Sequence, residues 1–156
     1  MAEYFFRLGM QPTRLENKYG VEFRRIVPPF GNLHNLMWHV FSWLRGKRFW
    51  EYQAVKDGRV VSRAQVVTKL PIFPFMNGRD WHIGPCATVP DERGKGFYPL
   101  LLQYIRDNHQ NFGGEYYMMT KDDNISSQRG IHKVGGVKFG EGFKTRLGRY
   151  VITKRL

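Results

Sequence analysis

The order of elements in this sequence predicts an α/β fold: a single mixed, mostly antiparallel central sheet flanked by helices. Three observations carry the expectation. Alternating apolar stretches at 49–55 and 59–69 flank Asp57-Gly58, a strong hairpin signal. Helical apolar spacing recurs at 33–44 and again at 97–105. Between them, the apolar stretch 80–89 runs straight into a glycine-rich turn that opens the second helix. The full order reads strand, helix, three antiparallel strands, helix, strand, helix, two strands.

Residues 1–20 form an N-terminal extension in which Tyr4, Phe5, Phe6, Leu8 and Met10 make a short helix or an edge strand ended by Pro12. A strand at 21–27 is stopped by Pro28-Pro29. Asn32 caps the next helix, whose core stripe is Leu33, Leu36, Met37, Val40, Phe41 and Leu44, with Gly46 at its end. His34, Trp38, His39 and Trp43 lie beside that stripe, so the tryptophans either line a cleft or widen the buried face. After the hairpin, 70–76 (LPIFPFM) is apolar but broken by two prolines. It is expected to fold back onto the domain's own core, with a dimer contact or a wall of an acceptor site as alternatives.

Within 80–89, Gly84-Pro85 signals a bulge or splay. If the strand alternates cleanly, Asp80, His82 and Cys86 share one side. The helix after the turn presents Phe97, Leu100, Leu101, Tyr104 and Ile105 to the core. Gly113-Gly114 then leads to a short strand at 116–120, and Asp122-Asp123 caps a third helix that Gly135-Gly136 ends. Two strands rich in Lys and Arg finish the chain.

The 156 residues suit one domain, 1–156, and 42% hydrophobic with 15% aromatic content argues against disorder. The net charge of +12 attracts polyanions, whether nucleic acid or an anionic small ligand. One cysteine, Cys86, excludes an internal disulfide and a Cys-rich metal site. The start, MAEYFFRLGM, is a poor secretory signal, and no apolar run approaches a membrane span. The plain expectation is a cytoplasmic protein, monomer or homodimer.

The glycine-rich turn holds most of the chemistry. A helix start carries unpaired N–H groups and the positive end of the helix dipole, and glycines let a phosphate approach that backbone. Arg93-Gly94-Lys95-Gly96 therefore proposes an anion cradle, most simply for a pyrophosphate. It matches neither the P-loop nor the dinucleotide fingerprint.

The segment Arg93, Gly94, Lys95, Gly96, Phe97, Tyr98 resembles motif A of the GNAT superfamily of N-acetyltransferases, with Tyr98 where a small residue is usual. A second match follows at the family's spacing: Asn124-x-x-Ser127, then Lys133-x-Gly135. The resemblance covers residue 21 to the C-terminus. It implies a splayed pair of parallel strands and direct transfer of an acetyl group from acetyl-coenzyme A to an amine, without a metal. It implies that Arg93 to Tyr98 hold the pyrophosphate, that Ala87, Thr88 and Val89 bind the pantetheine and polarise the thioester, and that Asn124, with Ser127 beside it, reaches the cofactor.

Where relatives carry a proton-donating Tyr seven residues after that Asn, this chain has Ile131. The donor is left between His132, Tyr98, a water and none. The base candidates are His82 and then Asp80, and Cys86 is not expected to act as nucleophile. Without a strong catalytic dyad, the acceptor is expected to be a small polar amine of low pKa, an amino sugar among the candidates, met by Trp38 and His34. The alternative is a non-catalytic basic module for RNA or another polyanion.

Overall fold

The computed structural model describes residues 1–9, 14–109 and 113–156. The chain runs β1 (Glu3–Leu8), β2 (Glu22–Ile26), α1 (Leu33–Trp43), β3 (Trp50–Lys56), β4 (Arg59–Thr68), β5 (Trp81–Thr88), α2 (Phe97–Asn108), β6 (Tyr116–Lys121), α3 (Ile125–Lys133), β7 (Gly136–Lys144) and β8 (Tyr150–Arg155). A short 3-10 turn, Pro90–Glu92, joins β5 to the glycine-rich turn. The strands form one sheet in the order β2-β3-β4-β5-β6-β1-β7-β8. Neighbours are antiparallel except β5 and β6. This is the mixed sheet that the element order predicts.

Two features of β5 shape the site. Its register against β4 shifts between Ala64 and Val66, opposite the Gly84-Pro85 step. Its parallel pairing with β6 holds only at Trp81↔Tyr116 and His82↔Tyr117. Beyond the shift the two strands part, so the C-terminal half of β5 has a free ladder edge toward β6. The expected splay is present, and Gly84-Pro85 lies where it begins.

The N-terminal segment differs from the expectation of a peripheral piece. β1 is an interior strand, paired with β6 on one side and β7 on the other. Phe5 and Phe6 are both fully buried although they point to opposite faces. Phe5 meets Phe75 and Tyr150, while Phe6 joins the cluster beneath α2 and α3. A strand covered on both faces reads as a continuous apolar run rather than an alternating one, which is why Tyr4-Phe5-Phe6 gives no clear period. Met10 and Pro12 lie outside the described residues.

α2 and α3 cover one face, over Ile83, Phe97, Leu101, Ile105, Met118 and Ile131. On the other face Trp38, Phe49, Val67, Leu70, Phe73 and Met76 form a second cluster. The segment 70–76 thus folds back onto the sheet, as expected.

α1 is turned opposite to the expectation. Asn32 does cap it, accepting from the Asn35 amide at 2.8 Å. Its buried residues, however, are Asn35, Trp38 and Ser42, and Leu33, Leu36, Met37, Val40 and Leu44 of the predicted core stripe are exposed. The physical reason is occupancy: Leu70, Phe73 and Met76 share with Trp38 the sheet surface that the stripe would need. A third correction concerns α3, which is capped by Asn124 rather than by Asp122-Asp123.

Candidate active site

A cleft of about 560 Å³ opens where β5 ends and α2 and α3 begin. Cys86, Ala87 and Thr88 form its floor, Arg93, Gly94, Gly96, Phe97 and Tyr98 one wall, and Asn124, Ser126, Ser127, Arg129, Gly130 and Lys133 the other. The sequence-predicted cofactor residues therefore converge, except two. Val89 has both backbone groups taken, its N–H by the Val61 carbonyl and its own carbonyl by the Glu92 N–H, each at 3.0 Å. Lys95 turns away to pair with Glu92 at 2.8 Å.

The turn is built for close approach. Gly94 and Gly96 adopt φ of +78° and +88°, which disfavour a side chain, and apart from the adjoining residues no described atom lies within 4 Å of where a Cβ would stand. No described side chain caps α2, whereas Asn32 and Asn124 cap α1 and α3. The first amides of α2 thus face the cleft with the helix dipole behind them. Arg93, Arg129 and Lys133 add charge to the lining, whose one carboxylate, Glu92, is engaged by Lys95 and, at 3.9 Å, Lys56.

Asn124 spends its Oδ1 on the cap, accepting from the Ser127 amide at 3.1 Å and the Ser126 hydroxyl at 3.0 Å. Its amide NH₂ is the group left for a ligand. Tyr98, unexpected in a position usually small, is housed by a second exception. A Cβ on Gly130 would meet the Tyr98 ring at about 2.5 Å, so the glycine makes room for the phenol between α2 and α3. Burial and the neighbouring Cys86 push the Tyr98 pKa well above the usual tyrosine range, with Ser127 opposing. Burial likewise pushes the Cys86 thiol up to about 12, so at neutral pH it is no thiolate.

The other predicted residues are elsewhere. His132 does not line the cleft: its Nδ1–H donates to the Gly136 carbonyl at 3.0 Å and its ring stands edge-on to Phe6. Ile131 is core. Asp80 is buried with both oxygens used, one accepting from the Glu115 amide at 3.0 Å and the other from the Asn77 amide. It is a structural clamp, not a free base. His82 and Cys86 are on opposite faces, because the register shift breaks the alternation that would have put them together.

The His82 ring lies tilted against Phe73 at 4.3 Å and edge-on to Trp38 at 6.0 Å, and Trp38 in turn contacts His34 at 4.3 Å. The expected acceptor residues are thus one cluster, on the α1 face. Burial holds the His82 pKa down at about 3, and its Nδ1 has no partner among the described residues.

Sequence reasoning missed Ser126, Arg129 and Gly130. The signal was there: after the Asn124 cap, small or basic residues recur at helical spacing through Ser126, Ser127, Gly130 and Lys133. Among the described residues, no group of three or more His, Cys, Asp or Glu side chains is gathered as a metal would need, and no helix is long and apolar enough to cross a membrane.

Solved structures share this architecture. An acetyltransferase of the GNAT family from Colwellia psychrerythraea superposes with a TM-score of 0.61 at 11% identity, over 88% of this chain and 52% of that one. A putative GNAT acetyltransferase from Novosphingobium aromaticivorans gives 0.56 at 14% identity, over 90% of this chain and 60% of that one. The fold is that of the GNAT superfamily. A functionally unknown conserved protein from Staphylococcus epidermidis shares it too, at a TM-score of 0.54 and 13% identity, over 90% of this chain and 57% of that one. The chain therefore spans between half and two thirds of the length of these three structures. No protein-family model matches the sequence, and no curated protein matches it.

Proposed function

We propose that this chain is an acyl-coenzyme A-dependent N-acetyltransferase. The observation that carries the reading is the cleft itself: a glycine-opened helix start with no described side-chain cap, cations on both helical walls, and at its floor the edge of β5 that β6 leaves unpaired, where Arg93 Nε donates to the Thr88 carbonyl at 3.2 Å. The amides of Gly94 to Tyr98 hold the pyrophosphate, and Arg129 and Lys133 meet the remaining phosphate charge. Asn124 reaches the cofactor with its NH₂. The pantetheine lies along Cys86 to Thr88, one residue earlier than the motif suggests because Val89 is fully paired.

The amine lone pair attacks the thioester carbonyl carbon, the C–S bond breaks, and the nitrogen loses its proton to solvent. The departing sulfur takes a proton from Tyr98 or from water. Tyr98 is the phenol lining the cleft, but the burial that raises its pKa makes it a weaker acid than a free phenol, so water is the readier donor and Tyr98, if it gives its proton, regains one from solvent. His82 is a poor base at a pKa of about 3 and serves at most to orient the acceptor. The acceptor that fits is consequently an amine already partly neutral near pH 7, a small polar one such as an amino sugar.

Titration calorimetry with acetyl-coenzyme A tests the cofactor site. Gly96→Glu puts a side chain and a negative charge where the phosphate is placed, and affinity is expected to fall about tenfold or more. Unchanged affinity in a folded variant would remove the site. Binding of single-stranded RNA that collapses steeply with salt, without coenzyme A binding, would favour the polyanion reading instead.

A further inference from the structure

The apolar face that α1 turns outward is continuous with its surroundings. Phe30 packs on His39 at 4.3 Å, and His39 Nε2–H donates to the Pro28 carbonyl at 2.7 Å, which pins the preceding segment against the helix. Val27, Phe30, Leu33, Leu36, Met37, Val40, Trp43 and Leu44 are each between 42% and 75% exposed. A groove of about 340 Å³ runs between that segment and the end of α1, with Lys47 and Arg48 on its rim. Single exposed apolar residues are ordinary, but a run of this size on one helix and its flank is not.

Charge identifies the occupant. From residue 27 to residue 50 the chain holds no Asp or Glu, and Arg45, Lys47 and Arg48 follow the helix directly. Aliphatic side chains bounded by Phe30 and Trp43, with Arg45 and Arg48 after them, Lys47 donating to the Gly78 carbonyl at 3.2 Å, and no carboxylate in their own stretch of chain, form the surface that settles at an anionic bilayer interface. A second copy of this face offers Arg45 and Arg48 no charge complementarity, whereas an anionic surface does. We infer that this face docks onto the headgroup region of an anionic lipid membrane, with α1 lying in the interface and the chain bound peripherally. The inference is independent of the proposed reaction.

The test is co-sedimentation with vesicles of mixed phosphatidylglycerol and phosphatidylcholine, and with phosphatidylcholine alone. The chain is expected to pellet with the mixed vesicles and far less with the neutral ones. Leu36→Ser with Val40→Ser leaves the net charge untouched and is expected to weaken binding about tenfold. Brominated acyl chains should quench tryptophan emission in the wild type and much less in Trp43→Phe. The substituted positions are exposed, so an unchanged melting temperature serves as the folding control. Trp43→Ser is the second variant if the pair fails that control. Full binding by the Ser variants would reduce the effect to diffuse attraction by the net charge and overturn the inference. So would no vesicle binding at all, or a solution dimer abolished by those same substitutions.

Discussion

Asp80 illustrates how a buried carboxylate is spent. Its oxygens satisfy the amides of Asn77 and Glu115, tying the turn before β5 to the start of β6 where the parallel ladder pairs of the described residues form. Asp80→Ala strands two donors and is expected to cost about 1–3 kcal/mol in urea unfolding, while the shape of the pH–rate profile stays as in wild type. Tyr98 and Gly130 make the complementary case for packing. Gly130→Ala forces a methyl into the Tyr98 ring, an overpacking expected to cost roughly 1–3 kcal/mol. In a Tyr98→Ala background the same change should cost far less, and a double-mutant cycle that showed simple additivity would contradict the contact.

At the level of elements, α3 both caps itself and walls the cleft through Asn124. Asn124→Ala should lower stability by about 1 kcal/mol and also weaken coenzyme A binding. Asn32→Ala, the same loss on α1, should lower stability alone, so calorimetry on the pair separates cap from ligand contact. The glycine-rich turn, the splay at Gly84-Pro85 and the Asn32 cap were legible because each depends on backbone demands that few residues meet locally. The direction α1 faces was not legible. Its stripe has good helical spacing, and only the tertiary return of Leu70, Phe73 and Met76 decides that Trp38 and Asn35 go inside. β1 was missed for the related reason that burial on both faces erases alternation. The separation of His82 from Cys86 turned on a one-residue register shift, which inverts every side chain beyond it.

Across the whole molecule, two histidines are buried in neutral form. Burial holds His82 at about 3, and holds His109, bonded to the Tyr52 hydroxyl at 2.8 Å, at about 4. In the unfolded chain both bind a proton near pH 6.5, so the unfolded state gains protons first as pH falls. The stability is fully present above about 6.5 and is lost progressively down to the folded values, with a slope of at most about 1.4 kcal/mol per pH unit for each histidine. Urea midpoints should therefore drop between neutrality and about pH 5, and His82→Phe should remove roughly half of the slope. A flat wild-type curve over that interval would contradict the burial of both rings. The interior place of β1 has a consequence in time rather than in energy. In synthesis β1 precedes β6 and β7, the strands that must flank it, by more than a hundred residues. At ordinary synthesis rates the wait is on the order of ten seconds. Throughout it, Tyr4-Phe5-Phe6 is an apolar segment with neither neighbouring strand available, open to pairing with the wrong edge until β6 and β7 follow.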